Sequence, residues 1–188
     1  MIICGIKASH DGAVAVVEDG RLRFSVEIEK LGSGERYSSL GSLQQVTDIL
    51  AGDGLSPSDV DQFVDGRYAR GGAHAVSIGD GERSVELAVA PYVEGPGDAG
   101  PLQRHTFAGQ DVQGGSGGYA GFTHVANHLL GAYCAAPFAA RREKALALVW
   151  DGGIVPRFPA TTKPPLMVIT GGGLTWGNRW CAILGSNQ

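Results

Sequence analysis

Ile2-Ile3-Cys4-Gly5-Ile6-Lys7-Ala8-Ser9-His10-Asp11-Gly12-Ala13-Val14-Ala15-Val16-Val17-Glu18-Asp19-Gly20-Arg21-Leu22-Arg23-Phe24-Ser25-Val26-Glu27-Ile28-Glu29 is the stretch that decides the fold. Ile2 to Ile6 reads as a short buried strand, and Lys7 to Gly12 as a polar turn. Ala13 to Val17 is a second strand, closed by the hairpin signal Glu18-Asp19-Gly20. Leu22 to Glu29 then alternates apolar and polar with period two, as a half-buried third strand does. The order predicts a three-stranded antiparallel meander.

Further along, Leu43, Val46, Thr47 and Leu50 share one face of a helix from Ser42 to Leu50, which Gly52 and Gly54 end. Ser56-Pro57-Ser58-Asp59 turns the chain into Val60-Asp61-Gln62-Phe63-Val64, a fourth strand expected to run parallel to the first. Residues 65–120 read as irregular, apart from an edge strand over Arg83–Val89 and a flexible loop at Gly114-Gly115-Ser116-Gly117-Gly118. Thr123 to Tyr133 reads as a helix. Ala145 to Trp150 is a continuous apolar run, hence a buried strand that delivers Asp151 at its end. The predicted fold is α/β, with a mixed five-stranded sheet and flanking helices.

The last segment differs in character. From Gly152 to Gln188 there are three basic residues, no acidic ones and seven glycines, with Pro156, Pro159, Pro164 and Pro165 interrupting it. Leu166 to Thr170 is one more strand candidate, running into Gly171-Gly172-Gly173. The division expected is therefore a domain over 1–157 and an atypical Gly/Pro-rich tail over 158–188.

Composition sets the outer limits. The chain has 188 residues, 43% hydrophobic and 18% charged, with a net charge of −4 and a mean hydropathy near zero. That suits one globular core. No apolar run approaches the roughly 18 residues of a membrane helix, and the N-terminus shows no basic leader or cleavage site. Cys4, Cys134 and Cys181 form no CxxC pair, which disfavours a disulfide scaffold or zinc knuckle. A cytoplasmic protein is expected. No basic stripe marks a nucleic-acid partner. The 30 glycines are about twice the usual share, which implies many tight turns or close backbone approach to a ligand.

Three clusters could carry chemistry. His124 and His128 lie four residues apart on a helix, so both imidazoles leave one face and can share a metal; two capping or surface histidines fit the same spacing. Asp151, at the end of a buried strand, would add the carboxylate that a divalent transition metal favours beside two imidazoles. Ser9-His10-Asp11-Gly12 joins the first two strands; its N–H groups and hydroxyl could cradle a phosphate, and Asp11 could orient His10 as a general base, although an ordinary polar turn has the same composition. Gly171, Gly172 and Gly173, after a strand, allow close approach of a phosphate or adenosine, or form a plain turn.

Taken in order, Gly5 to Ala13, the hairpin, Val26 to Lys30, His124-xxx-His128 and Val149-Trp150-Asp151-Gly152-Gly153 resemble the opening of the O-carbamoyltransferases of nodulation-factor, cephamycin, tobramycin and ansamycin biosynthesis. Glu29-Lys30 through Arg36-Tyr37-Ser38 looks closest to the ansamycin type. The resemblance implies the first half of a ribonuclease-H-like domain of the actin/Hsp70/sugar-kinase type. It implies that His124, His128 and Asp151 hold a divalent metal, often iron. The Ser9–Asp11 turn would face a carbamoyl-adenylate, made from carbamoyl phosphate and ATP by a separate domain, or the hydroxyl of a small-molecule acceptor. Because family members run to several hundred residues, the expected function is that of a truncated or fragmentary metal-dependent O-carbamoyltransferase acting on a secondary metabolite, as in antibiotic biosynthesis. The alternative is a non-catalytic nucleotide- or metal-binding module that keeps the scaffold. A sheet cut midway would expose an edge and invite self-association.

Overall fold

Asp19 and Gly20 both take positive φ, 48° and 80°, as the two central residues of a tight hairpin must if its twist is to match the flanking strands. They join β2 (Ala13–Glu18) to β3 (Arg21–Glu27), and β2 follows β1 (Ile2–Lys7). β1, β2 and β3 form the expected meander, antiparallel at both junctions. The third strand stops at Glu27, and Ile28–Leu31 forms a one-turn helix, α1, instead of continuing it. The computed structural model describes residues 1–32, 35–69, 75–80, 82–92, 102–110, 112–115, 117–141, 145–148 and 166–169.

The next elements, in chain order, are α2 (Leu43–Gly52), β4 (Gln62–Asp65), β5 (Tyr68–Ala69), β6 (Ala75–Asp80), β7 (Arg83–Ala88), β8 (Ala90–Pro91), β9 (His105–Thr106) and β10 (Gly118–Gly121). They are followed by α3 (His124–Cys134), α4 (Pro137–Ala140), β11 (Ala145–Leu148) and β12 (Leu166–Ile169). Ser42 caps α2 by accepting from the Gln45 N–H, and Thr123 caps α3 by accepting from the Ala126 N–H.

The main sheet has six strands, in the order β3-β2-β1-β4-β10-β9, where five were expected. β4 is parallel to β1, as its sequence predicts, and β10 is parallel to β4. Gly118–Gly121, which begins in a segment that reads as irregular, takes a place in this sheet; the described part of the apolar run at 145–150, read as a buried strand, does not. Ala145–Leu148 is a strand but pairs with β12 in a separate two-stranded sheet. Arg83–Ala88 is also a strand, paired with β6 as a hairpin outside the main sheet.

Side chains alternate across the sheet, so each face buries its own set. Cys4, Ile6, Val14, Val16 and Phe63 pack with Leu43, Val46 and Leu50 of α2 on one face. Ile3, Val17 and Val64 pack with Phe122, Ala126 and Leu130 on the other, where α3 lies. Burial of each Leu, Ile, Val or Phe among them contributes about 1.5–3 kcal/mol. Among the described residues, no helix is long and apolar enough to cross a membrane.

Cys4 sits fully within this core, and burial pushes its thiol up to about 12 by disfavouring the thiolate. At pH 8 the native chain should therefore leave Cys4 unalkylated, whereas chain unfolded in denaturant should be alkylated there at the rate of a free cysteine. Peptide mass spectrometry after brief iodoacetamide treatment checks this. Comparable labelling of Cys4 in the native chain would contradict its placement.

Candidate functional site

Strand direction gathers the chemistry-bearing residues at one edge. Ile6 of β1 is level with Asp65 of β4, and Asp65 with Gly121 of β10. The three strands are parallel, so their continuations leave the sheet together: Ser9 to Gly12 after β1, Gly66-Arg67 after β4, and Phe122-Thr123-His124 after β10. The carboxyl ends of parallel strands are where α/β sheets build their sites.

The first continuation is tightly organised. His10 Nδ1 lies 2.7 Å from Asp11 Oδ2, and Lys7 Nζ lies 3.8 Å from the same oxygen. Lys7 is largely buried, which lowers its pKa from the ordinary lysine value against the opposing pull of Asp11 and Glu27. Asp11 adopts a φ of 55°, a left-handed conformation that a short polar side chain tolerates. The Asp11 and Gly12 N–H groups donate to the Tyr37 and Ser38 carbonyls at 3.4 and 2.8 Å, and the Gly12 carbonyl accepts from Ile28. Those two N–H groups are thus directed at the neighbouring segment, and what the turn offers outward is the exposed His10 imidazole beside the half-buried Ser9.

The third continuation begins α3, and its two histidines are together. The His124 and His128 rings lie 4.6 Å apart, centroid to centroid, at 82°, and His124 also stacks on Tyr92 at 5.2 Å. Asn127 stands between them in sequence. Its Nδ2 donates to the Phe122 carbonyl at 3.2 Å and the Gly66 carbonyl at 3.4 Å. Among the described residues no third His, Cys, Asp or Glu joins the pair. Asp151 and the glycines 171–173 lie outside the described residues.

Similarity to known proteins follows the same outline. Residues 2–95 and 119–165 match the family described as Carbamoyltransferase N-terminus. The chain belongs to that family. It is 42% identical over 165 residues to Nodulation protein U of Sinorhizobium fredii, an alignment covering 84% of this chain and 28% of that protein. Against Nodulation protein U of Bradyrhizobium diazoefficiens the identity is 45% over 157 residues, covering 84% and 27%. Against the Azorhizobium caulinodans protein of the same name it is 36% over 183 residues, covering 97% and 31%. The chain thus spans less than a third of the length of the curated relatives it matches. No solved structure matches.

In this carbamoyltransferase N-terminal chain the middle continuation holds residues that the sequence reading missed. Asp65 is 1% exposed and Arg67 4%. Arg67 gives Asp65 two hydrogen bonds of 2.7 Å, from its backbone N and from Nε. Its Nη2 makes an ion-pair contact of 2.5 Å with Asp65 Oδ2. The Tyr119 hydroxyl donates to the same oxygen at 2.7 Å. Burial opposes the Arg67 charge, but Asp65 and then Tyr119 outweigh it, and the net shift is upward. Burial, followed by Asp65, pushes Tyr119 up, so its hydroxyl stays a donor. The available signal was an apolar strand, Phe63-Val64, ending on Asp65-Gly66-Arg67.

Proposed function

We propose that this edge of the sheet is the carbamoyl-transfer site of a metal-dependent O-carbamoyltransferase, which passes a carbamoyl group from a carbamoyl-adenylate to a hydroxyl of a secondary metabolite. The observation that carries it is the register Ile6–Asp65–Gly121, which brings His10 and the His124–His128 pair to one edge in a chain of this family. The strand order β3-β2-β1-β4-β10, a meander followed by two strands parallel to β1, supports a ribonuclease-H-like half-domain. An ansamycin-type acceptor rests on Glu29 to Ser38 alone.

The residues present suit a divalent metal. Two imidazoles at 4.6 Å and nearly perpendicular can direct one nitrogen each at a shared ion, and the buried Asn127 Oδ1 has no hydrogen-bond partner. His124 and His128 would hold the ion, with Asp151 as a third ligand. Bound there, it would supply Lewis acidity to polarise a carbonyl.

The chain's own part is proton transfer and orientation. With Nδ1 donating to Asp11, His10 carries its lone pair on Nε2, the atom that takes the proton of the acceptor hydroxyl. As that proton leaves, the hydroxyl oxygen bonds to the carbamoyl carbon and the bond to the adenylate phosphate oxygen breaks, releasing AMP. Lys7 sets its ammonium 3.8 Å from the Asp11 carboxylate, and Ser9 lines the same turn.

Anaerobically purified chain is expected to carry near-stoichiometric iron or another divalent metal by elemental analysis, and the His124→Ala/His128→Ala double variant to carry less than a tenth as much (about 1.4 kcal/mol in binding or more). Equal metal in both, or none in either, would remove the metal from this reading.

A further inference from the structure

Asn127 is 8% exposed, and its side chain is used unevenly. The amide nitrogen bridges α3 to the chain leaving β4, through the Gly66 carbonyl, and to the chain leaving β10, through the Phe122 carbonyl. Those two carbonyl acceptors also fix which way the amide points, because only the nitrogen end can donate to them. The oxygen end, Oδ1, is buried and has no hydrogen-bond partner. Leaving an acceptor buried and unmade is costly, so such an atom in a native chain calls for a partner, such as an ordered water or an ion.

Position says what that partner is near. At about 100° per residue, Asn127 lies roughly 60° around the helix from His124 and 100° from His128, and its amide nitrogen hydrogen-bonds this turn to the chain leaving β4 and β10. We infer that Asn127 is a positioning residue for the His124–His128 pair: its Nδ2 locks the helix turn carrying both imidazoles onto the ends of β4 and β10, and its Oδ1 accepts a hydrogen bond from a water that enters with a divalent cation. This rests on the metal reading of the two histidines. Groups that hold metal-binding histidines in place typically change metal affinity 10–100-fold when removed.

Titration of the full 188-residue chain with Co(II) tests it, read both as a dissociation constant and as the visible absorption of the bound ion, which reports coordination geometry. The variants are His128→Ala, Asn127→Leu and Asn127→Ser, with urea unfolding of each metal-free protein measured alongside. Asn127→Leu removes both ends of the amide at similar volume, and Asn127→Ser serves if the leucine variant does not fold. The expected result is a Co(II) dissociation constant raised at least tenfold in the Asn127 variants, with an altered absorption band, beyond any loss that tracks the unfolding midpoint. Wild-type affinity and spectrum in a folded Asn127 variant, with binding lost in His128→Ala, would overturn the role of Asn127 and leave the metal site standing. No binding by the wild type would overturn both.

Discussion

Asp65→Leu should cost the chain about 3–5 kcal/mol of stability, a large share of the roughly 5–15 kcal/mol that keeps a single domain folded. Asp65 is essentially inaccessible, as is Arg67, and the two share the hydrogen bonds and ion-pair contact described above, with Tyr119 donating to the same carboxylate. Leucine has the branching of the carboxylate and is larger, so none of the loss would come from a cavity. What remains is a buried guanidinium with no countercharge and a buried phenol with no acceptor, and the first dominates. Two comparisons isolate it. Tyr119→Phe removes one hydrogen bond and should cost only about 1–1.5 kcal/mol. Asp65→Leu/Arg67→Met removes both charges and should recover much of the loss, since a well-packed apolar pair often matches a buried ion pair. Urea unfolding of the four proteins decides the matter. An Asp65→Leu variant within 1 kcal/mol of wild type would mean that the network is not buried as described.

Gly12→Ala is expected to displace the turn that carries His10. A methyl group there would stand 2.2 Å from the Leu40 backbone nitrogen and 2.7 Å from the Ser39 carbonyl carbon. Both neighbours are backbone, so relief requires moving the chain over 38–40 away from the turn. That movement would strain the 2.8 Å bonds from the Gly12 N–H to Ser38 and from Ile28 to the Gly12 carbonyl. Overpacking of this kind costs about 1–3 kcal/mol, and the lost hydrogen bonds add about 1 kcal/mol each. The imidazole of His10, one residue from Asp11, would move with the turn. Gly109→Ala is the contrasting case: Gly109 has a φ of 75° and nothing lies within 4 Å of its added carbon, so its cost is backbone strain without a clash. Thermal unfolding, with the His10 ring followed by NMR, measures both effects. A Gly12→Ala chain with wild-type midpoint and an unmoved His10 signal would refute the close approach.

Much of this protein was legible locally. Asp19-Gly20 announces a hairpin because so few residue pairs tolerate two positive φ values. Leu43, Val46 and Leu50 announce a helix because their spacing places them on one face, and Ser42 and Thr123 sit where helix caps belong. The His124–His128 spacing was enough to put two imidazoles side by side. None of these readings needs a partner distant in sequence.

The segment read as a flexible loop ends in a strand at Gly118, because glycine has two meanings. Added carbons at Gly117 and Gly118 would lie 2.3 Å from the Val60 carbonyl and 2.9 Å from the Gln62 side chain. These glycines permit close strand approach rather than motion, and β10 follows from them. A more apolar candidate, Ala145–Leu148, went elsewhere because hydrophobicity says that a strand is buried but not which strand it joins.

Local sequence was enough for the meander, the two long helices and the identity of the histidine pair. Each depends on interactions within about a dozen residues or on a pattern that allows one local structure. Packing between distant segments decided that β10 completes the parallel row, that Asp65 accepts from Tyr119, and that His10 shares an edge with His124 and His128. Those facts are set by strand register, which joins residues more than 50 positions apart. No local preference encodes such a pairing; it is selected by which arrangement buries both faces of the sheet while leaving its charges paired.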